Sequence, residues 1–600
     1  MKNFMKLFNQ MSLKKLFLFI FFLFSFFLGM SQKPVKTISR PNVIIILTDD
    51  QGYGDMGIHQ NPIIKTPVLD KFASSSIRFT NFYVSPVCSP TRSSILTGKY
   101  NIRTGVFDTF SGGAIMASNE ITIAELFKDS GYKTGQFGKW HLGDNYPFRP
   151  QDQGFDNTVS NIGGGIGSPG DVFNYYKADS SYFNPILMKD GEIFQSSGYC
   201  TDVFTDEAIK FIERNHDSPF FIYLAYNAPH KPLQLPESYY NMYKDKPINP
   251  DFFRQNGFYV HDMSEKDKED ARKVYGMVTN IDDNIGRLFQ TLEKQNLDEN
   301  TVIIFMTDNG PAQNRFTGGY RGKKSMVNEG GIHVPFYIKL PKKMTSVTKI
   351  DQAFAHIDIL PTLVELCNVK MPPQLKIDGV SMVPFLTKIN DVKLDRPLFF
   401  EWQRGYPEKY KNIAVIQNGF KLIGNIGEND PISSFELYDL KKDPFESINL
   451  IEEQKDKAKL LKNEIDGWFE DIMKSPNILE LPKTIIGNQK QNPIILTRND
   501  ARGIQEIRDQ DNIPVSWDVI VEKEGDYEVT CYFYNDIVDS GKLIFRIGRK
   551  NISLENDKKN IRKIKFNKMY LDKGSFKIDS WYSINTRSFL TPFYIEIKKL

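Results

Sequence analysis

Two separate strand-like stretches of the sequence end in side chains that could bind a metal ion. "PNVIIILTDD" ends in Asp49 and Asp50, and "TVIIFMTDNG" at 301–310 has Asp308 and Asn309 near its end. Carboxylate and amide oxygens brought together from two strand ends suit a hard divalent cation, most naturally calcium. Strand-end acids also cap helices, an explanation that fits one acidic pair better than two matching strand ends. The pattern therefore favours a cation site formed by these four residues.

A single cysteine, Cys88, precedes a helix-like pattern in "VSPVCSPTRSSILTGKY" at 84–100. We expect Ser89 to be the N-cap and Pro90 to occupy the first helical position, which places Cys88 just ahead of the positive end of the helix. Arg92, in the first turn, could then reach an anion beside Cys88. A lone cysteine is usually a small buried hydrophobic residue, so its neighbours decide the interpretation.

Five further titratable groups lie in short motifs. "GYKTGQFGKWHLGD" places Lys139 and His141 on the same side of an extended segment, and "APHKP" presents His230 in a proline-bounded turn. "YRGKKSMVNEGG" offers Lys323 and Lys324 in a glycine-rich loop. Each of them alone is equally well explained as an ordinary solvated or hydrogen-bonded residue. Together with the arginine and a cation, they could bind a tetrahedral oxyanion.

The elements that must position these groups alternate along the chain. The two strand-like stretches and "PFFIYLAYNAPHKP" at 219–232 are continuous apolar runs, typical of strands buried on both faces of a parallel sheet. Amphipathic stretches such as "ITIAELFKDSGYKT" lie between them. This order predicts an α/β fold with helices on both faces of the sheet. Because ligands bind at the carboxyl ends of such strands, we expect the candidate residues to meet at that edge.

The pattern of residue types in the sequence changes near residue 485. Short, alternating β-branched and aromatic segments follow, and they predict a β-sandwich-like module over 490–600, with "LPKTIIGNQKQNP" as a linker before it. Several aromatic residues of the module could stack on sugar rings or fill its core. They are Trp517, Tyr527, Tyr532, Tyr534, Trp581 and Tyr582.

Composition narrows the class of protein. The 600 residues carry 76 Lys and Arg against 73 Asp and Glu, a net charge of +3, so we expect no nucleic-acid partner. The four cysteines form no disulfide framework. Residues 1–31 have lysines followed by an apolar run and small residues, which predicts a signal peptide. The run is short for a membrane span, so we expect export without a stable membrane anchor, to the periplasm in preference to full secretion.

The motifs resemble those of the formylglycine-dependent type I sulfatases of the alkaline phosphatase superfamily. Cys88-x-Pro90-x-Arg92 followed by "LTGKY" matches the family signature, and "LTDDQGYGD", "GKWHLG", "APHKP", "TDNG", "EGGIHVPF" and "ELYDLKKDPFESINL" follow in family order. The resemblance implies an alkaline phosphatase-like catalytic domain over 38–375, with a large central, mixed but mostly parallel sheet flanked by helices. It also implies a smaller α+β C-terminal subdomain over 376–480.

The resemblance further implies the roles of the candidate residues. A maturation enzyme would convert Cys88 to formylglycine, whose hydrate is the nucleophile. One calcium ion per subunit is expected on Asp49, Asp50, modified Cys88, Asp308 and Asn309. Arg92 and Lys139 would stabilise the diol and the sulfate, His141 would act as base, and His230 would protonate the leaving group. Lys324 is expected on the sulfate oxygens, with the adjacent Lys323 as the alternative.

The activity that follows is that of a sulfuric ester hydrolase. A sulfated oligo- or polysaccharide is the expected substrate, with algal polysaccharides of the ulvan or carrageenan type favoured for an exported protein whose composition is typical of an AT-rich bacterium. Alternatives are a glycosaminoglycan or aryl sulfatase, and a formylglycine-dependent phosphodiesterase or phosphonate monoester hydrolase. A carbohydrate-binding protein with an inactive catalytic domain is a rival of a different class.

Overall fold

In a computed structural model of the chain, the structure describes residues 40–255, 258–341, 347–387, 394–503, 512–585 and 588–600. The predicted signal peptide, 1–31, lies outside these residues. Among the described residues, no helix combines the length and the apolar character needed to cross a membrane. Residues 41–600 form one compact unit.

The first twelve strands build the central sheet and a small two-stranded sheet. They are β1 (Asn42–Thr48), β2 (Ile77–Phe79), β3 (Phe82–Tyr83), β4 (Lys133–Gly138), β5 (Asn157–Ser160), β6 (Ile186–Lys189), β7 (Glu192–Gln195), β8 (Phe220–Ala225), β9 (Thr301–Thr307), β10 (Phe336–Lys339), β11 (Lys349–Ile350) and β12 (Phe354–Ala355). Ten of them form one sheet in the order β11-β2-β10-β9-β1-β8-β4-β5-β6-β7, while β3 pairs with β12. The middle strands β9-β1-β8-β4-β5 are all parallel, and antiparallel pairs lie towards both edges.

Twelve α-helices are present in the described part of the chain. They are α1 (Pro67–Ser75), α2 (Cys88–Thr97), α3 (Ile123–Asp129), α4 (Cys200–Arg214), α5 (Glu237–Asn241), α6 (Pro250–Gln255), α7 (Glu265–Lys294), α8 (Glu329–Ile332), α9 (Ile359–Leu366), α10 (Val383–Leu386), α11 (Lys455–Ile472) and α12 (Pro476–Leu479). The alternating residues of β1 show on which face of the sheet these helices pack. Val43, Ile45 and Leu47 share one core with α2, α3 and α9, whereas Ile44 and Ile46 share another with α1, α4 and α7. The predicted α/β fold with helices on both faces of the sheet is confirmed.

A smaller α+β region follows the central sheet. Strands β13 (Leu398–Glu401), β14 (Ile413–Gln417), β15 (Phe420–Gly424) and β16 (Glu436–Asp439) form an antiparallel sheet. Helix α11 packs on it through Ala458, Leu461 and Ile465.

The last ten strands form two sheets with a shared core. They are β17 (Thr484–Ile486), β18 (Ile494–Thr497), β19 (Ser516–Val521), β20 (Gly525–Ile537), β21 (Gly541–Ile547), β22 (Lys550–Asn556), β23 (Ile561–Leu571), β24 (Gly574–Ser583), β25 (Phe589–Leu590) and β26 (Tyr594–Lys599). One sheet has the order β17-β19-β24-β21-β22 with β25 on β24, and the other is β18-β26-β20-β23. We call this pair of sheets the β-sandwich.

The β-sandwich corrects one expectation and resolves another. The segment expected to be a linker contributes β17, which pairs with β19, because three residues are too few to show a strand pattern in the sequence. Trp517, Tyr527 and Tyr582 are buried in the shared core, so they cannot stack on sugar. Tyr534 is buried in a separate cluster with Phe593.

Candidate active site

The order of the central strands brings the candidate residues to one edge of the sheet. Because β9 and β8 flank β1 in parallel register, the segments that follow these strands leave the sheet side by side. Asp49 and Asp50 follow β1, and Asp308 and Asn309 follow β9. The segments after β8 and β4 carry the remaining sheet-edge candidates, His230, Lys139 and His141.

Cys88 is the first residue of helix α2, and not the residue ahead of its N-cap. The cap position is Val87, whose carbonyl oxygen accepts from the Thr91 N–H at 3.4 Å. The prediction that Ser89 caps the helix is therefore wrong, and its buried Oγ has no hydrogen-bond partner among the described residues. Pro90 lies in the first turn, where backbone N–H groups have no partner within the helix. Cys88 is 2% exposed, and burial raises the pKa of its thiol although Lys139 and Lys324 oppose this.

Two buried ion pairs lie beside Cys88. Arg92 donates to Asp308 Oδ2 from Nε at 3.1 Å and from Nη2 at 2.6 Å, and its Nη1 donates to the Lys139 carbonyl at 3.0 Å. The Lys139 ammonium donates to Asp49 Oδ2 at 2.6 Å. All four side chains are fully buried. Buried charges of this kind persist only when they are paired, so each of these side chains fixes the position of its partner.

Asp50 connects these ion pairs to the loop that carries Lys323 and Lys324, because its N–H donates to Asp308 Oδ1 at 3.2 Å. It accepts from Lys324 Nζ at 2.5 Å and from Asn309 Nδ2 at 2.8 Å. Although burial acts to raise it, the pKa of Asp50 lies below its usual range because Lys324 and His230 are close. Lys323 donates instead to Asn314 Oδ1 at 3.0 Å. The structure thus places Lys324 on the acidic cluster and Lys323 beside it.

Hydrogen bonds define the tautomers of the two histidines. His141 Nε2 lies 2.7 Å from the carbonyl oxygen of Thr109, which can only accept, so Nε2 carries the proton. Its Nδ1 lone pair then points to Cys88 Sγ, 3.4 Å away. Burial, reinforced by Lys139, holds the pKa of His141 well below its usual value.

His230 has the opposite arrangement. Its Nδ1 donates to the Lys231 carbonyl at 2.6 Å, and its Nε2 faces Asp50 Oδ2 at 3.9 Å. Burial lowers the pKa of His230 to about 3, although Asp50 opposes this.

Three buried oxygens of the site lack hydrogen-bond donors in the part of the chain that the structure describes: Asp49 Oδ1, Asp50 Oδ2 and Asn309 Oδ1. An unsatisfied buried oxygen is costly unless another group, such as a cation, binds it. Potential ligand atoms of Asp49, Cys88 and Asp308 lie within 4.8 Å of one another, as do those of Asp49, Asp50 and His230. Carboxylate and amide oxygens are ligands for hard cations, so these residues fit a metal ion.

A cavity of about 510 Å³ opens in front of this cluster and is lined by Asp50, Cys88, His141, His230 and Lys324. Arg404, which follows β13, and Asn499, which follows β18, also line it. Sequence reasoning missed both, because they lie in loops outside any motif. Arg404 stacks 4.0 Å above the Phe110 ring and donates to Thr109 Oγ1 at 3.0 Å.

Comparison with known proteins relates this geometry to a family. The family model described as Sulfatase matches residues 41–369, and one described as N-sulphoglucosamine sulphohydrolase, C-terminal, matches residues 318–468. An ulvan-active sulfatase from Formosa agariphila is 29% identical over 465 residues, which are 74% of this chain and 84% of the relative. The N-acetylgalactosamine-6-sulfatase of Homo sapiens is 31% identical over 389 residues, 60% of this chain and 68% of the relative.

Solved structures are also similar to this chain. The crystal structure of Ps i-CgsB in complex with k-i-k-neocarrahexaose has a TM-score of 0.62 and 28% identity, covering 73% of this chain and 94% of that one. The Sulfatase match spans more than half of the chain and includes the residues of both buried ion pairs. The chain therefore belongs to the sulfatase family, whose members are generally metal-dependent, and it is an enzyme that hydrolyses sulfate esters.

Proposed function

We propose that this sulfatase removes sulfate from a sulfated glycan, an algal polysaccharide of the ulvan or carrageenan type or its oligosaccharides. The observation that carries the catalytic part of the proposal is the position of Cys88. Its Sγ lies within 4.8 Å of ligand atoms of Asp49 and Asp308 and 3.4 Å from the unprotonated nitrogen of His141. A cysteine used only for packing would be surrounded by apolar side chains and not by these charged and titratable groups.

Residue 88 acts, in this proposal, as formylglycine produced from Cys88 by a maturation enzyme. The hydrate of that aldehyde supplies one hydroxyl that attacks sulfur and a second that later releases the sulfate. His141 Nδ1 faces residue 88 and accepts a proton there, while the Nε2–H bond to Thr109 keeps the ring in the required tautomer.

Asp49, Asp50, Asp308 and Asn309, together with the modified residue 88, would hold one calcium ion. Bound there, the ion lowers the pKa of a hydroxyl and neutralises oxyanion charge. The orphaned oxygens of Asp49, Asp50 and Asn309 support this assignment.

The remaining polar groups bind the sulfate and the leaving group. Arg92 and Lys139 are fixed by their carboxylate partners, so their positive charges are in place before the substrate arrives. Lys324 lines the cavity and binds a sulfate oxygen. His230, which also lines the cavity, is the proposed proton donor to the departing sugar oxygen. This role requires that Asp50 and the negative charge of the bound sulfate raise the pKa of its ring from the low value that burial gives it, so that Nε2 carries a proton.

Two observations support an anionic glycan. Lys231 and Lys323 add positive charge to the cavity wall beyond Lys324, which suits a substrate with further negative groups, whereas the charge of Arg404 is paired with Asp108. Among the relatives, one is described as ulvan-active, and one structural neighbour holds a neocarrahexaose. The human relative, named for N-acetylgalactosamine 6-sulfate, supports an amino-sugar sulfate as the second candidate.

The organisation of the chain completes the proposal. We assign residues 1–31 to a signal peptide that leads to export, 38–375 to the catalytic domain, 376–480 to the C-terminal subdomain and 490–600, together with the preceding strand β17, to the β-sandwich. The N-terminal sequence pattern supports export, with the periplasm favoured.

Release of free sulfate from a panel of desalted substrates tests the proposal. The protein is co-expressed with a maturation enzyme and incubated with ulvan, carrageenan, chondroitin and heparan oligosaccharides and with an aryl phosphonate. We expect sulfate release from an algal member and none of the phosphonate hydrolysed. Release from an aminosugar oligosaccharide alone would favour the second candidate. Mass spectrometry should find the aldehyde at position 88, and full activity with an intact thiol would refute the mechanism.

A further inference from the structure

The wall of the active-site cavity comes from parts of the chain that are distant in sequence. Asp50, Cys88 and His141 belong to the central α/β region, Arg404 follows β13, and Asn499 belongs to the β-sandwich. Because the β-sandwich contributes a side chain to the cavity wall, it can contact the substrate directly. The β-sandwich is therefore part of the active-site wall.

The backbone of Asn499 holds it in place. Its carbonyl oxygen accepts from the N–H of Gly112 at 3.0 Å, and the residue is 5% exposed. Its Nδ2 lies 3.4 Å from Asp500 Oδ1, a long hydrogen bond. A side-chain amide offers both a donor and an acceptor, as a sugar hydroxyl does.

Neighbouring contacts fix this backbone relative to the catalytic residues. Asn145 donates to the Ile495 carbonyl at 2.7 Å and accepts from its N–H at 3.2 Å. Arg502 lies over Gly112, close to where a Cβ would be, and donates to the carbonyl of Ser111 at 3.4 Å. The segments held in this way, 109–112 and 141–146, are the ones that carry His141 and its hydrogen-bond acceptor. The position of Asn499 relative to His141 is thus defined by several bonds.

Asn499 also contacts the glycine loop, residues 163–170, which covers the two histidines. A Cβ on Gly170 would lie 3.0 Å from Asn499 Cβ, whereas those on Gly164 and Gly165 would meet His141 and His230. Within the described residues, Asn499 has no hydrogen bond to the cations that bind the sulfate. It therefore lines the cavity without belonging to the groups that bind the sulfate, and its amide is available to the rest of the substrate.

We propose that Asn499 is a specificity-determining residue, which hydrogen-bonds to a hydroxyl of the sulfated sugar or of its neighbour. The β-sandwich then selects the glycan from within the active site. This inference rests on the proposed function, that is, on a glycan substrate.

The test compares Asn499→Ala with the wild type on two substrates: the oligosaccharide that the wild type desulfates best, and 4-nitrophenyl sulfate, which has no sugar. Loss of one hydrogen bond should raise the KM for the oligosaccharide about 10-fold, with kcat within about twofold. Both constants for 4-nitrophenyl sulfate should stay within about twofold, since the sulfate-binding groups are intact. Asn551→Ala, on an exposed position of β22, is the matched control and should change neither substrate.

Three results would overturn the inference. Equal losses on both substrates would assign Asn499 a structural role, and unchanged oligosaccharide kinetics would exclude contact. Asn499→Leu, which keeps the branched shape of the side chain without its polar atoms, makes the same comparison if the alanine variant is unstable. A wild type that cleaves 4-nitrophenyl sulfate but no glycan would refute the glycan substrate itself, and with it the role of Asn499.

Discussion

Asn309 belongs to the proposed cation site but takes no part in the ion pairs of Arg92 and Lys139. Its Nδ2 donates to Asp50 and to the Gly310 carbonyl, while its buried Oδ1 accepts nothing from the described residues. Arg92 and Lys139 do not depend on it. Substitution of Asn309 therefore removes a ligand atom and leaves the paired charges in place.

We predict that Asn309→Ala weakens calcium binding at least about 10-fold, with a matching loss of sulfatase activity at low calcium. Binding is followed through the rise in Tm on titration with calcium chloride, because an ion that binds only the folded state stabilises it. The wild type and Asn551→Ala should respond alike, and magnesium, manganese and zinc are titrated in parallel. Equal calcium responses in Asn309→Ala and the wild type would contradict the assignment.

The sequence predicts that the charged residues meet at one edge of the sheet, because the order of the strands determines where their ends lie. Asp49, Asp308 and Lys139 follow strands that are near neighbours in a parallel sheet, so a pattern of apolar runs ending in polar residues was sufficient. Arg404 and Asn499 could not be found in the same way. They reach the cavity through the packing of later modules, which leaves no local pattern.

Short elements are the ones that the sequence predicts poorly. Ser89 and Pro90 are typical of helix starts and predict a late start for α2, whereas the backbone of Val87 supplies the cap. Strand β17 has only three residues, too few for an alternating pattern, so the sequence predicts a linker there. The long apolar runs and the long α7 were unambiguous, since their periods extend over many residues.

The glycine loop is the element with the most direct effect on the histidines. An added Cβ at Gly164 would lie 2.7 Å from His141 Nε2, the atom that donates to Thr109. The ring could make room only by moving, and this would release the bond that sets its tautomer. The absence of a side chain at Gly164 is therefore needed for the geometry of the base.

We predict that Gly164→Ala lowers kcat for 4-nitrophenyl sulfate by about 10- to 100-fold through displacement of the base, with little change in Tm. Steady-state kinetics and a thermal melt measure the two effects. The control is Gly467→Ala in α11, where an added Cβ meets nothing within 4 Å and should leave kcat unchanged. Wild-type kcat in Gly164→Ala would show that the loop has room to adjust.

The β-sandwich meets the catalytic region through an acidic cluster formed by Asp144 and Asp500. Asp144 accepts from the Gly163 N–H at 2.9 Å, and its buried Oδ2 and that of Asp500 have no hydrogen-bond partner among the described residues. Burial and Asp500 raise the pKa of Asp144 well above its usual value, with a further contribution from Asp171. Burial raises the pKa of Asp500 to about 6, although Asn499 and Arg502 oppose this.

Because the pKa values of Asp144 and Asp500 are raised, the stability that this pair contributes must depend on pH, and the direction of the change follows. Between the ordinary aspartate pKa of 3.8 and about 6, the unfolded acids are ionised while the folded pair retains protons. The folded state binds more protons than the unfolded state in this range, so the stability contributed by the pair falls as the pH rises. Asp144→Asn removes one of the ionisable groups and keeps an oxygen for the Gly163 N–H. The variant should lose less stability than the wild type from pH 4 to 7, by on the order of 1 kcal/mol.

Thermal melts of the wild type and of Asp144→Asn at pH 4, 5, 6 and 7 measure this effect. The quantity followed is the difference between the two Tm values, which should change with pH. Other ionisable groups contribute equally to both, so the difference reports the cluster alone. The exposed Asp572→Asn on the β-sandwich controls for the loss of one charge and should follow the wild type. A Tm difference independent of pH would mean that Asp144 and Asp500 are not protonated together in the folded protein.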